Sequence, residues 1–125
     1  MEFTTTETGR KVVIAPAGLD EAFTLKAKIN KAFIENKVNP QEAITTGDLL
    51  AVIMAMDSSL EVLNAAFDCL KKSTYNDVRI TKELFESEEN KPDLYEVLFY
   101  CLKVNVYPFF KSLVSLLKNQ FAGKN

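Results

Sequence analysis

Glu83, Glu86, Glu88 and Glu89 form the densest group of side chains in this chain that could hold a cation or pair as acid and base. Their spacing does not match an EF-hand loop, and the glycine that such a loop needs at its sharp turn is missing. A solvated acidic loop ahead of a helix is the simpler reading. Cys69 and Cys101 each sit in an apolar helical pattern and read as buried thiols that pack as small hydrophobes. A disulfide is open geometrically if their two helices pair, but nothing else in the sequence signals an oxidising compartment. The chain has no histidine. That removes Ser-His and Cys-His nucleophiles, His-assisted zinc sites and the usual general base near neutral pH. There is no glycine-rich phosphate loop and no CxxC pair. The expectation is a protein without catalytic, metal-binding or cofactor-binding residues, and not an enzyme.

Aromatic residues gather in the last third, at Phe85, Tyr95, Phe99, Tyr100, Tyr107, Phe109 and Phe110. No basic face interleaves them, so they do not form a base-stacking platform. Core packing accounts for most of them, but nine Phe in 125 residues leaves some for a partner-binding patch. The net charge of −2 makes no electrostatic case for nucleic acid or an anionic membrane, and no run approaches the ~20 apolar residues of a membrane span. With 47% hydrophobic and 26% charged residues, the composition is that of an ordinary globular chain. The length suits one domain. The Thr-rich start lacks the layout of a secretion signal, which makes a reducing cytoplasm the default.

The elements that must position these residues are mainly helical. Pro92 to Gln120 reads as the organising helix, with Leu94, Leu98, Cys101/Leu102, Asn105, Phe109, Ser112/Leu113 and Leu116/Leu117 at helical steps on one buried face. Its charged stripe is narrow, which argues for a central position. Pro108 removes the partner of a helical carbonyl and crowds it. Either the helix kinks there, or it stops near Asn105 and restarts. Tyr107 would be a poor cap for a restart, which favours the kink. Asn105, one turn earlier on the core face, is placed to donate to carbonyls freed by the bend. Upstream, Phe3–Thr6 and Lys11–Ile14 flank Glu7-Thr8-Gly9-Arg10 and predict a hairpin, which must pack on the helices or pair with another copy. A helix follows from about Gly18 to Asn36, with Ala22, Leu25, Ile29, Ala32 and Phe33 facing inward. Asp48 opens a short helix that is apolar on nearly every side. Ser58 and Glu61 have capping-box spacing, so a corner near Asp57 leads into another helix, Ser59 to Lys72. One continuous helix from Asp48 to Lys72 is the alternative. Thr74 to Asp77 reads as a turn, Val78-Arg79-Ile80 as a short extended piece, and Thr81 as the cap of one or two turns. The expected fold is a mainly α bundle of four to five helices with a small N-terminal hairpin: an arm at 1–16, a helical domain at 17–120 and a flexible tail at 121–125.

Several segments resemble tail assembly chaperones of long, non-contractile-tailed (siphovirus) phages or prophages of Gram-positive bacteria. Val13-Ile14-Ala15-Pro16-Ala17 with Ala22-Phe23-Thr24-Leu25-Lys26 is similar to the start of that family. Cys69-Leu70, Thr74-Tyr75-Asn76, Ile80-Thr81 and Leu84-Phe85-Glu86 are similar to its middle segment. Asp93-Leu94-Tyr95-Glu96-Val97 and Asn105-Val106-Tyr107-Pro108-Phe109-Phe110 are similar to its last helix, the latter being the most specific piece. The family often carries an Arg shortly before this Asp, where here Lys91-Pro92 stands. The resemblance implies a protein that coats the tape-measure protein, keeps its apolar helices soluble and helps recruit the major tail (tube) protein. It would act in the host bacterial cytoplasm and be absent from the mature virion. The family also makes a longer form by frameshifting, and Gly123-Lys124 can be encoded by a slippery G-run and A-run. The alternative is a tail-completion or connector protein that stays in the particle, or another small helical adaptor.

The helices carry more large apolar residues than one closed core needs. The surplus predicts a patch or groove lined by Leu49, Leu50, Ile53, Met54 and Met56, with Phe109 and Phe110 as further partner-binding residues and Asn105 and Pro108 as the structural motif. The hairpin could close one edge of that groove or mediate self-association.

Overall fold

A computed structural model describes residues 1–35, 37 and 59–122. Strands β1 (Glu2–Thr4) and β2 (Lys11–Val13) form the N-terminal hairpin, and helix α1 (Leu19–Glu35) follows. Helix α2 (Leu60–Cys69) leads to a second hairpin, β3 (Thr74–Tyr75) and β4 (Val78–Arg79). Two 3-10 turns, Lys82–Glu86 and Lys91–Asp93, then enter α3 (Leu94–Asn105), and α4 (Tyr107–Ala122) closes the order.

The expected helical bundle is overturned. The fold is mixed α/β, about 60% helical, with three helical units (α1, α2 and the α3–α4 pair) beside a four-stranded antiparallel sheet. The strand order is β1-β2-β3-β4, so β2 pairs with β3 although α1 and α2 lie between them in sequence. Val12 sits opposite Tyr75, and both are buried. The N-terminal hairpin is therefore half of that sheet. In the second hairpin, Asn76 and Asp77 both take positive φ, 52° and 66°, as a type I′ turn requires. The residues read as a turn from Thr74 onward thus include a strand. In the first hairpin it is Gly9, at φ 73°, that takes the left-handed conformation.

The inward face of α1 is the expected one: Ala22, Leu25, Ile29, Ala32 and Phe33 are all buried. It packs on α2 and shares one core with Val62, Ala66 and Leu70 of the α2 segment, Val97, Leu98 and Leu102 of α3, and Val12 and Ile14 of the sheet. Ser59 caps α2, its Oγ accepting from the Val62 N–H at 3.4 Å, so the cap stands one residue after the expected Ser58.

The long C-terminal helix is broken, not kinked. Val106, at φ −115° and ψ −47°, ends α3 with its N–H on the Leu102 carbonyl, and α4 restarts at Tyr107. Pro108 then stands in a first turn, where its missing N–H would have had no helical partner. Beyond the break, Ser112 and Leu116, expected on the buried face, are exposed. Asn105 is buried as expected, but its amide does other work. Its Nδ2 donates to the Cys101 carbonyl at 3.0 Å, and its Oδ1 accepts the Ala17 N–H at 2.8 Å. Two residues earlier, the Ala15 N–H donates to the buried Ser73 hydroxyl at 3.0 Å. Two buried side chains thus satisfy the backbone between β2 and α1 where no strand or helix can.

Candidate interaction surface

The acidic group disperses over the surface. Glu83, Glu86, Glu88 and Glu89 are all exposed. Glu89 approaches Arg10 at 3.8 Å, and Glu88 meets Lys91 at 3.2 Å. Among the described residues, no group of three His, Cys, Asp or Glu side chains could hold a metal ion.

The carboxylate that sequence reasoning missed is Asp93. It is fully buried at the start of α3, where the positive end of the helix dipole favours a negative charge. Its Oδ2 accepts from the Tyr75 hydroxyl at 2.6 Å and from the Thr8 hydroxyl, while Oδ1 has no hydrogen-bond partner among the described residues. Beside it, Glu96 accepts from the Thr6 N–H at 3.0 Å and from the Thr6 hydroxyl at 3.2 Å. The loop of the first hairpin is thereby held on the first turn of α3. Burial, and then the bond to Asp93, raise the Tyr75 phenol above its ordinary value, so it stays a neutral donor. This cluster positions the sheet on the helix. Nothing in the sequence distinguished Asp93 from an ordinary first-turn acid.

Of the residues expected to bind a partner, Leu49, Leu50, Ile53, Met54 and Met56 lie outside the described residues. Phe110 falls in α4, with its side chain outside them as well. Pro108 is exposed. Phe109 is half-buried and stacks on Phe23 of α1, with ring centroids 4.9 Å apart and planes inclined by 27°. Such a pair contributes about 0.5–1.5 kcal/mol beyond its area. The Lys26 ammonium stands 5.6 Å from the centre of the Phe23 ring, within cation–π range.

Phe23 remains 44% exposed, and it is not alone: Leu19 is 59% and Ile34 71% exposed. At about 100° per residue these three fall within roughly 60° of arc, off the core face of α1. On α4, Leu116 is 61% exposed and stands two turns beyond Phe109 on the same side. The α1 stripe therefore reaches α4 at the Phe23–Phe109 stack. The α1 stripe was legible in the spacing of Leu19, Phe23 and Ile34, which the core periodicity of the same helix leaves unused. Beside the N-terminal end of this stripe, Asp20, Glu21, Thr24, Ala65 and Asp68 line an acidic recess of about 240 Å³. The loop of the first hairpin is committed to Asp93 and Glu96; the groove it was expected to edge lies outside the described residues.

No helix among the described residues is long and apolar enough to cross a membrane. No protein-family model, curated protein or solved structure matches this chain.

Proposed function

We propose that this protein is a phage tail assembly chaperone, without enzymatic activity, that binds the tape-measure protein in the host cytoplasm, keeps it soluble and helps recruit the tail-tube protein. The reading rests on the resemblance of the ordered segments from Val13 to Phe110. The observation that carries it is the exposed apolar stripe of α1, Leu19, Phe23 and Ile34, which meets α4 at the Phe23–Phe109 stack. Fully covering a Phe, Leu or Ile side chain contributes about 1.5–3 kcal/mol. Leu19, Phe23, Ile34 and Leu116 keep much of that free energy available to a partner. An amphipathic helix with apolar residues at three- and four-residue steps fits such a stripe. Acidic side chains flanking the helix's apolar face would meet Lys26 near the stack.

Co-expression with fragments of the tape-measure protein tests this. The wild-type chain should raise the soluble yield of at least one helical fragment and co-purify with it. The double variant Phe23→Asp with Phe109→Asp, confirmed as folded by circular dichroism, should lose both effects. A wild-type chain that solubilises no fragment overturns the function, while equal activity of wild type and variant overturns the assigned surface.

A further inference from the structure

The outer face of α1 carries its apolar stripe from one end of the helix to the other, with opposite charges along one edge. Ala27, exposed, and Asn30, half-buried, fill the stripe between Phe23 and Ile34. At about 100° per residue, Leu19, Phe23, Ala27, Asn30 and Ile34 fall within about 80° of arc. Asp20 in the first turn and Lys31 in the fourth stand on the same edge of that arc, and both are exposed. They lie about 16 Å apart along the axis, too far to pair within one helix. Lys31 shares Glu61 with Lys28, whose ammonium is the closer, at 3.4 against 3.6 Å. Glu61 therefore keeps a partner when Lys31 turns elsewhere.

We infer that a second copy of this chain covers the stripe, α1 lying antiparallel on α1 about a twofold axis between Lys26 and Ala27. Such a contact is isologous, so each copy must receive what it presents. With the axis there, Leu19 of one copy lies level with Ile34 of the other, and Phe23 lies level with Asn30. The small Ala27, next to the axis, leaves space for the Phe23 ring of the second copy. A twofold of this kind brings the same edge of both helices together with their ends exchanged. Asp20 then stands about 3 Å along the axis from Lys31 of the second copy, an offset that a lysine side chain spans. Two Asp20–Lys31 pairs form per dimer, and complementary charges of this kind fix register and orientation. The opposite edge brings the Lys26 side chains of the two copies near each other, a like-charge contact that weakens the pairing. One helix face, about 25 Å long and 10 Å wide, also covers less than the roughly 800 Å² per partner of a stable interface. The dimer therefore exchanges with monomer. The pairing stands on α1 alone; its role, covering the stripe until a client helix displaces the second copy, rests on the chaperone reading above.

Sedimentation equilibrium of the purified chain, with no client present, is the test. The average mass should rise from the 14.1 kDa of one chain towards twice that value as concentration rises through the micromolar range. Asp20→Lys and Lys31→Asp each turn two attractions into repulsions and should weaken association about tenfold, while the chain carrying both substitutions should return to within about twofold of wild type. Circular dichroism shows that each variant is folded. A wild-type chain that keeps the mass of one copy at every concentration overturns the inference, with no variant needed. So does a dimer that neither single reversal weakens, or that the double reversal does not restore. A wild-type dimer with the expected charge-reversal pattern, in a protein that solubilises no tape-measure fragment, upholds the α1 pairing and removes only the chaperone reading.

Discussion

Replacing Asn105 by leucine adds apolar bulk at a buried position and should still destabilise the protein. Asn105 is 4% exposed and joins two elements, donating to the Cys101 carbonyl at 3.0 Å and accepting the Ala17 N–H at 2.8 Å. Leucine can do neither. An amide N–H left without a partner costs about 1–3 kcal/mol when water cannot reach it, and the lost bond to Cys101 about 1 kcal/mol more. The added hydrophobic burial offsets part of this, but a branched side chain in a site shaped for a flat amide brings its own strain of about 1 kcal/mol or more. The net expectation is about 2 kcal/mol, or roughly 6–10 °C in the thermal midpoint of a chain this size. Equilibrium urea unfolding followed by circular dichroism measures it, with an unchanged slope showing that the native and unfolded states are otherwise comparable. Asn105→Asp keeps an acceptor for Ala17 but turns a second oxygen towards the Cys101 carbonyl, so it should be at least as damaging. A leucine variant with an unchanged or higher urea midpoint would refute the reasoning.

Tyr75→Phe removes a buried donor to Asp93 and should lower stability by about 1–3 kcal/mol in the same urea assay, since it leaves the carboxylate short of a partner. The phenol also predicts an alkaline effect. Tyr75 is held above its ordinary value of 10.0 in the folded state, so the unfolded chain releases that proton first. Its contribution is whole below about pH 10 and is lost as pH rises from there through the folded value. The urea midpoint should therefore fall more steeply above pH 10 in the wild type than in Tyr75→Phe. Asp77→Gly should raise the thermal midpoint, because Asp77 sits at φ 66° in a turn that glycine enters without steric cost, a gain of about 0.5–1 kcal/mol. Leu25→Ala, emptying a fully buried position on α1, should cost about 2–5 kcal/mol by calorimetry or urea unfolding.

Features that depend on neighbours a few residues apart were legible in the sequence. The core face of α1 follows from Ala22, Leu25, Ile29, Ala32 and Phe33 recurring at helical steps, and that pattern needs no knowledge of what it packs against. The first hairpin follows from two β-prone runs around Gly9, and the burial of Asn105 from its place among Leu98, Cys101 and Leu102. The mixed α/β architecture was not legible in the same way. Strands β3 and β4 are two residues each, too short for any periodicity, and they exist because Thr74 and Tyr75 find β2 across α1 and α2. Likewise the sequence carried both outcomes at Pro108, and tertiary structure chose the break, with Asn105 bonded to Ala17 where α3 ends. The burial of Asp93 and the exposure of Phe23 were decided there too. Whether a first-turn acid meets solvent or a tyrosine, and whether an off-face aromatic is covered, depends on which distant segments arrive beside it. Local spacing encodes which face a helix can bury; only the assembled chain settles what lies against the other faces.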